Sequence, residues 1–138
     1  MTLYKIVNDI LEISKHQPNI NYVGDGDIYD LNSKSNIDYG VFYITQSSHS
    51  ISEDTVSYNL TLYYIDRLLN DSSNTLQVQS QGMLILNNII NEYSQTADVE
   101  IQYDINFTTF THKFADDCAG VFCNVKIITN NEIGICNY

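Results

Sequence analysis

The stretch Thr55-Val-Ser-Tyr-Asn-Leu-Thr-Leu-Tyr-Tyr-Ile65 decides the fold class of this chain. Its large side chains recur at every second position, and Ser57, Asn59 and Thr61 lie between them. A period of two is typical of a half-buried β-strand, because successive side chains of a strand point to opposite faces. We therefore predict a long strand here and place the other elements around it.

A second alternating segment, Ile37 to Thr45, precedes this strand. It places Tyr39, Val41 and Tyr43 on one face, and Gly40, Phe42 and Ile44 on the other. Because both faces carry large residues, both are expected to be covered. The segment between the two strands, Gln46 to Asp54, is polar and lacks apolar periodicity. It is predicted to form the tip of a long hairpin.

Two helices are predicted from apolar residues spaced three and four apart. The first is capped by Thr2 and ends near His16, before Pro18. The second runs from Leu76 to about Tyr93, and its expected buried face consists of Leu76, Met83, Leu86, Ile89, Ile90 and Tyr93. A glycine inside a helix costs about 1 kcal/mol relative to alanine. At Gly82 we therefore expect a close approach to another backbone.

The remaining segments are short alternating runs that predict further strands. Their predicted bounds are Ile20–Val23, Val99–Tyr103, Asn106–Lys113 and Val121–Thr129, and Phe114–Gly120 is predicted to be a loop or a short turn of helix. The order of elements predicts an α+β fold in which a mostly antiparallel sheet is covered by two helices on one face. A length of 138 residues predicts one domain over residues 1–138.

The charge of the chain argues against two classes of partner. Seventeen acidic residues against six Lys and Arg give a formal net charge of -11, and Arg67 is the only arginine. A sequence-independent nucleic-acid binder needs a basic patch, and anionic membranes attract basic segments. We therefore expect neither sequence-independent nucleic-acid binding nor binding to anionic membrane surfaces. The amino end also lacks the pattern of a secretory signal, so an intracellular protein with reduced cysteines is expected.

Metal sites are weakly supported by the spacing of potential ligands. No two of the three cysteines, Cys118, Cys123 and Cys136, have the C-x-x-C spacing of a zinc site, and His112 does not complete a usual zinc pattern. The carboxylates of Asp25, Asp27 and Asp30 lack the alternation and the terminal glutamate of a calcium loop, so a solvated acidic loop or a contact with a neighbouring subunit is preferred. No metal and no cofactor is predicted.

Catalytic signatures are also weak. His49 lies among serines and near acids, but no nucleophile elbow or glycine-rich oxyanion loop accompanies it. Asp116 and Asp117 are adjacent on a predicted loop, where they are expected to face solvent or cap a turn. An enzyme is therefore not predicted. The eleven tyrosines leave two interpretations open, a tyrosine-rich core or a protein interface, where tyrosine is enriched.

Several segments resemble a known class of proteins. They are Gly26-Asp-Ile-Tyr-Asp-Leu-Asn32, Ile37-Asp-Tyr-Gly-Val-Phe42, Tyr58-Asn-Leu-Thr-Leu-Tyr-Tyr-Ile-Asp-Arg-Leu68, Ser73-Asn74, Gln79-Ser-Gln-Gly-Met-Leu-Ile-Leu-Asn-Asn-Ile89 and Phe114-Ala-Asp-Asp-Cys-Ala-Gly120. Together they resemble the small neck proteins of tailed bacteriophages of gut Bacteroidales, including the crAss-like group. The order of elements is similar to that of tail-terminator and head-tail connector subunits, which stack as rings between portal and tail.

The resemblance implies a structural virion protein that is made in the bacterial cytoplasm and forms a homo-oligomeric ring, a hexamer or a dodecamer. Its neighbours would be other neck, portal or tail proteins, and viral DNA would pass through without specific binding. The expected mode of contact is strand addition at the hairpin. The expected interface residues are Tyr39, Tyr43, His49, Glu53, Asp54, Asp66, Arg67 and Asp116. The alternative is a soluble acidic binding or inhibitor protein whose surface mimics nucleic acid.

Overall fold

The computed structural model describes residues 2–28, 38–69, 71–102, 104–113 and 117–131. Within these ranges the chain forms two helices and one seven-stranded sheet, which confirms the predicted α+β class. In chain order the elements are α1 (Leu3–Lys15), β1 (Tyr22–Asp25), β2 (Val41–Gln46), β3 (Ser50–Ile51), β4 (Thr55–Arg67), α2 (Thr75–Thr96), β5 (Glu100–Ile101), β6 (Phe107–Lys113) and β7 (Cys118–Asn130).

The centre of the sheet is an antiparallel ladder between β4 and β7. It contains thirteen residue pairs, from Thr55 opposite Asn130 to Arg67 opposite Cys118. At about 3.4 Å per residue, the ladder separates its two ends by roughly 40 Å. The prediction of a long strand from Thr55 is confirmed, and the strand continues two residues beyond Ile65. This ladder is the rigid frame that sets the distance between surface features at its two ends.

The outer strands flank this ladder in the order β1-β2-β4-β7-β5. The hairpin partner β2 is antiparallel to β4, and β3 extends the same side by pairing Ile51 with Val56. On the far side, β5 and β6 both pair with β7. Only β1 is parallel to its neighbour among the described strands, with Tyr22 opposite Val41. The sheet is therefore mostly antiparallel, as predicted.

Some predicted bounds were wrong. The first strand lies at Tyr22–Asp25 rather than Ile20–Val23, and the strand predicted at Val99–Tyr103 shortens to Glu100–Ile101. The predicted loop at Phe114–Gly120 ends early, because Cys118, Ala119 and Gly120 already pair with β4. The predicted hairpin tip is confirmed in place, although it contains the short strand β3. Positions 114–116 and 132–138 lie outside the described residues.

Both faces of the sheet carry buried apolar side chains, as the β2 pattern predicted. Phe42 and Ile44 point into the larger cluster, which also contains the buried faces of α1 and α2. Val41 and Tyr43 point the other way, into a smaller cluster with Ile65, Phe110 and Cys118. The two helices thus lie on one face of the sheet, and β2 is buried on both of its faces.

The first helix confirms its predicted cap and end. The Thr2 hydroxyl accepts a hydrogen bond from the Lys5 amide, and the helix ends at Lys15. In α2 the predicted buried face is right only in its second half. Leu76 and Met83 are exposed, and the first half is buried instead through Val78, Gly82 and Ile85. In the first half of α2, the side of the helix that faces the sheet is therefore not the side that Leu76 and Met83 indicated.

The close approach expected at Gly82 is confirmed, but to side chains rather than to a backbone. A Cβ at this position would lie 2.6 Å from Val121 Cγ1 and 2.8 Å from Tyr64 Cδ2. Both of those residues are fully buried in the sheet. The absence of a side chain at Gly82 therefore allows α2 to lie directly on the β4–β7 ladder.

Candidate self-association surfaces

The predicted interface residues fall into two groups at opposite ends of the β4–β7 ladder. Tyr39, Asp66 and Arg67 lie at the end where β4 finishes, and we call this the base. His49, Glu53 and Asp54 lie at the other end, before β4 begins. Asp116 lies outside the described residues. The structure thus divides the predicted site into two surfaces that are about 40 Å apart along the ladder.

Tyr43 does not belong to either surface. Its side chain is 2% exposed, and its hydroxyl donates to the carbonyl oxygens of Asp25 at 3.1 Å and Asp27 at 3.3 Å. It therefore ties the end of β1 and the residues just after it to the smaller apolar cluster. A residue buried in this way cannot contact a neighbouring subunit, so its prediction as an interface residue is corrected.

The base is organised around the only arginine. The guanidinium carbon of Arg67 lies 4.9 Å from the centre of the Tyr39 ring, a distance typical of a cation–π contact. The Tyr39 carbonyl accepts a hydrogen bond from Asn21 Nδ2 at 2.7 Å. Together with Asp38 these residues line a shallow groove of about 470 Å³. The base is thus a polar surface with an aromatic and a guanidinium group stacked on it.

Asp66 lies beside the arginine but faces inward. Its Oδ1 accepts a hydrogen bond from the Arg67 amide at 2.8 Å, and the Tyr64 hydroxyl approaches its Oδ2 at 3.5 Å. Burial raises the pKa of the Asp66 carboxyl, and burial together with the Asp66 charge raises the pKa of the Tyr64 hydroxyl. Asp66 therefore anchors the end of β4 in its own subunit and is less available to a neighbour than Arg67.

The other surface is the hairpin tip, which we define as residues 47–54. Asn59 holds its first bend, since its amide donates to His49 Nδ1 at 3.2 Å and its Nδ2 donates to the Ser48 carbonyl at 2.7 Å. His49 Nε2 lies 3.1 Å from Gln46 Oε1. Because Nδ1 accepts from an amide, the hydrogen bonds assign the ring proton to Nε2. Both ring nitrogens of His49 thus form hydrogen bonds within the hairpin, so His49 has a structural role.

The end of the tip is held by Asn131, the residue that follows β7. Asn131 donates through its backbone amide to the Asp54 carbonyl at 2.9 Å, and through its side chain to the Ser52 carbonyl at 3.0 Å. The Glu53 and Asp54 side chains are exposed, and Ile51 is 66% exposed. The tip is therefore a held turn that presents one large apolar side chain next to two carboxylates. Ile51 was not among the predicted interface residues, although an isoleucine in a polar segment is a visible signal.

The candidate metal ligands that the structure describes do not form a site, and Asp30 and Cys136 lie outside the described residues. Among the described residues no group of three or more His, Cys, Asp or Glu side chains is placed to hold a metal ion. Cys118 and Cys123 are buried and point to opposite faces of β7, and burial raises the pKa of the Cys123 thiol to about 12. Asp117 is exposed, and its carbonyl accepts a hydrogen bond from the Leu68 amide at 3.1 Å.

A groove of about 360 Å³ lies between α1 and the end of α2. Asp9, which pairs with Lys5 at 3.1 Å, lies at its edge, and so does Tyr93. The Tyr93 hydroxyl is buried and has no hydrogen-bond partner among the residues that the structure describes. Burial and the charge of Asp9 raise the pKa of this hydroxyl to about 12. Tyr93 is therefore a neutral, unsatisfied group at the contact between the two helices.

Replacing Tyr93 by phenylalanine is expected to stabilise the protein. An unsatisfied buried hydroxyl costs about 1–3 kcal/mol, so its removal should raise the free energy of unfolding by about 1 kcal/mol. Urea unfolding followed by circular dichroism measures this change. Tyr64→Phe is the matched control, because its hydroxyl lies near Asp66 and its removal should not stabilise. A Tyr93→Phe variant that is less stable than wild type would show that the hydroxyl has a partner.

Comparisons with known proteins do not assign this chain to a group. A scan against protein-family models finds no matching family, and a search of the curated proteins finds no relative. Neither of the two described helices is both long enough and apolar enough to span a membrane. Function is therefore proposed from the surfaces and the charge of the chain together with the resemblance of its sequence segments.

Proposed function

We propose that this chain is a structural virion protein of a tailed bacteriophage. It forms a homo-oligomeric ring in the neck between portal and tail, as a head-tail connector or tail terminator, and DNA passes through the ring. The observation that supports this most is the pair of different surfaces at opposite ends of the β4–β7 ladder. A closed ring requires a head-to-tail contact between two different patches of each subunit.

The segments that resemble phage neck proteins include the base but not the hairpin tip. Ile37–Phe42 contains Tyr39, and Tyr58–Leu68 contains Asp66 and Arg67. The held hairpin tip and the short strand β3, which pairs only with β4 among the described strands, supply an edge that a neighbouring subunit can contact. On this proposal the ring is a hexamer or a dodecamer, and other neck, portal or tail proteins bind above and below it.

The net charge of -11 fits a subunit that encloses DNA without gripping it. Acidic side chains along a channel repel the phosphates of a passing duplex, so the duplex slides rather than binds. The same charge supports one second candidate, an acidic binding or inhibitor protein that captures a basic partner by mimicking nucleic acid. The two candidates differ in oligomeric state, because an inhibitor of this kind is a monomer or a dimer.

The mass of the purified protein in solution tests the proposal. Light scattering after gel filtration, at several protein concentrations and salt levels, should give six or twelve times the chain mass of 15.7 kDa. A monomer that becomes a ring only when mixed with the adjacent neck proteins would also support it. A monomer that stays monomeric with those proteins, and that captures one basic protein, would contradict it and favour the inhibitor.

A further inference from the structure

We propose that the ring contact is made when the hairpin tip of one copy docks on the outer face of α2 of the next copy. This inference rests on the proposed ring and names both sides of the contact: the hairpin tip, and a helix face that begins beside the base, where Asn74 donates to the Arg67 carbonyl. The outer face consists of Leu76, Met83 and Leu84, with Leu69 in the loop before the helix. The occupant is a second copy of this chain, through Ile51, Glu53 and Asp54.

The outer face of α2 is uncharged, and its three large apolar side chains lie among exposed polar ones such as Ser80 and Asn87. Leu76, Met83 and Leu84 are 78%, 42% and 61% exposed, and a spacing of seven and eight residues places them on the same side of a helix. No residue from Thr75 to Asn91 carries a charge, although the chain as a whole carries -11. Acidic side chains of a second copy can therefore contact this stretch of α2 without meeting another carboxylate on the helix.

The start of α2 adds a positive pole to this face. Asn74 precedes the helix but does not cap it, because its Oδ1 accepts from the Leu69 amide at 2.9 Å and its Nδ2 donates to the Arg67 carbonyl at 3.2 Å. The first turn contains no acidic side chain. The partial positive charge at the helix start is therefore not compensated by a side chain of the helix itself.

The hairpin tip is the complement of this face. Its exposed Ile51 supplies an apolar group, and the exposed carboxylates of Glu53 and Asp54 supply negative charge. The hydrogen bonds from Asn131 hold the turn in shape before any contact forms. An apolar anchor flanked by acids thus meets an uncharged helix face with three exposed apolar side chains, which begins at a positive helix end; Asp71 is the acid that most closely precedes this helix in sequence.

The two surfaces cannot meet within one chain. The start of α2 is tied to Arg67 at the base, and the tip lies at the other end of the ladder, roughly 40 Å away. They can meet between copies, and each copy then uses its tip once and its α2 face once. Repetition of such a head-to-tail contact closes a ring when the rotation between copies divides a full turn.

Charge placed on either surface tests the inference. Ile51→Asp and Leu76→Asp should each weaken assembly more than tenfold in gel filtration with light scattering, because each puts a carboxylate into the apolar contact. An acid in the first turn of a helix is favourable, so Leu76→Asp should fold at least as well as wild type. Tyr4→Asp is the matched control, since Tyr4 is 80% exposed on α1 and should leave assembly unchanged.

Cysteine cross-linking tests the pairing directly. Ile51→Cys and Leu76→Cys variants, mixed and oxidised, should form a covalent dimer that neither variant nor wild type forms alone. A dimer from either single variant would overturn the inference, because it would indicate contact between like surfaces. If the wild type forms a ring and both aspartate variants form the same ring, this inference is overturned but the proposed function is not. A wild type that forms no ring, alone or with neck proteins, would overturn both.

Discussion

Replacement of Gly120 by alanine is expected to lower the free energy of unfolding by about 3 kcal/mol, the upper part of the usual range for overpacking a core. A Cβ at this position would collide with the backbone carbonyl oxygen of Tyr64 on the neighbouring strand, and would lie 2.9 Å from Phe110 Cζ. A flexible side chain could move aside, but the Tyr64 carbonyl belongs to the central ladder. The strands β4 and β7 must therefore separate locally.

Urea unfolding followed by circular dichroism measures this loss, with Asn130→Ala as the control. Asn130 lies on the same strand and the same face as Gly120 but is exposed at the end of the ladder, so its replacement should change stability by less than about 0.5 kcal/mol. Equal stabilities of the Gly120→Ala variant and the wild type would show that the ladder near Tyr64 is more open than the structure indicates.

The Gly82→Ala variant should also be less stable than wild type, by about 1–2 kcal/mol. Two effects oppose each other here. Alanine gains about 1 kcal/mol over glycine in a helix interior. Overpacking against Val121 and Tyr64 costs about 1–3 kcal/mol, and the rigid, fully buried ring of Tyr64 places the cost near the upper end. The packing term is therefore expected to exceed the helix propensity term.

Ser80→Ala separates these two effects, because Ser80 lies on the exposed side of the same helix. It gains helix propensity without a clash, and its thermal midpoint should equal or exceed that of the wild type. If Gly82→Ala also raised the thermal midpoint, α2 would not lie as close to the sheet as described. The outer face that we assign to ring contact would then be displaced as well.

The strands and the first helix could be predicted because their signals are local. The alternation in Thr55–Ile65 requires only that one face be buried, and Thr2 caps α1 with its own hydroxyl. The large residues on both faces of β2 also predicted correctly that both faces are covered. In these segments the side-chain pattern and the tertiary packing favour the same structure.

The orientation of α2 could not be predicted in the same way. Its sequence has apolar residues on two sides and no charged residue before Glu92 to mark the exposed side. The spacing of large apolar residues suggested that Leu76 and Met83 are buried. The side of the helix that packs against Tyr64 and Val121 is instead the one with Gly82, where no side chain intervenes. Packing against the sheet thus decided the orientation, and hydrophobicity alone did not.

The candidate site was predicted only in part. The sequence indicated Arg67, Tyr39 and the acids of the hairpin tip, but the roughly 40 Å between the two groups follows from the pairing of β4 with β7. Tyr43 appeared equivalent to Tyr39, yet its side chain is buried in the smaller apolar cluster, and its hydroxyl donates to the carbonyl oxygens of Asp25 and Asp27. Leu76 was predicted to be buried because its exposure depends on tertiary packing, whereas Ile51, an isoleucine in a polar segment, gave a signal that the interface prediction did not use.

Electron microscopy of the assembled protein tests the central proposal most directly. Class averages of the purified protein, alone and mixed with its adjacent neck proteins, should show closed rings of six or twelve subunits around a channel wide enough for a DNA duplex. Particles that remain single subunits or twofold dimers in both samples would contradict a ring-forming neck protein.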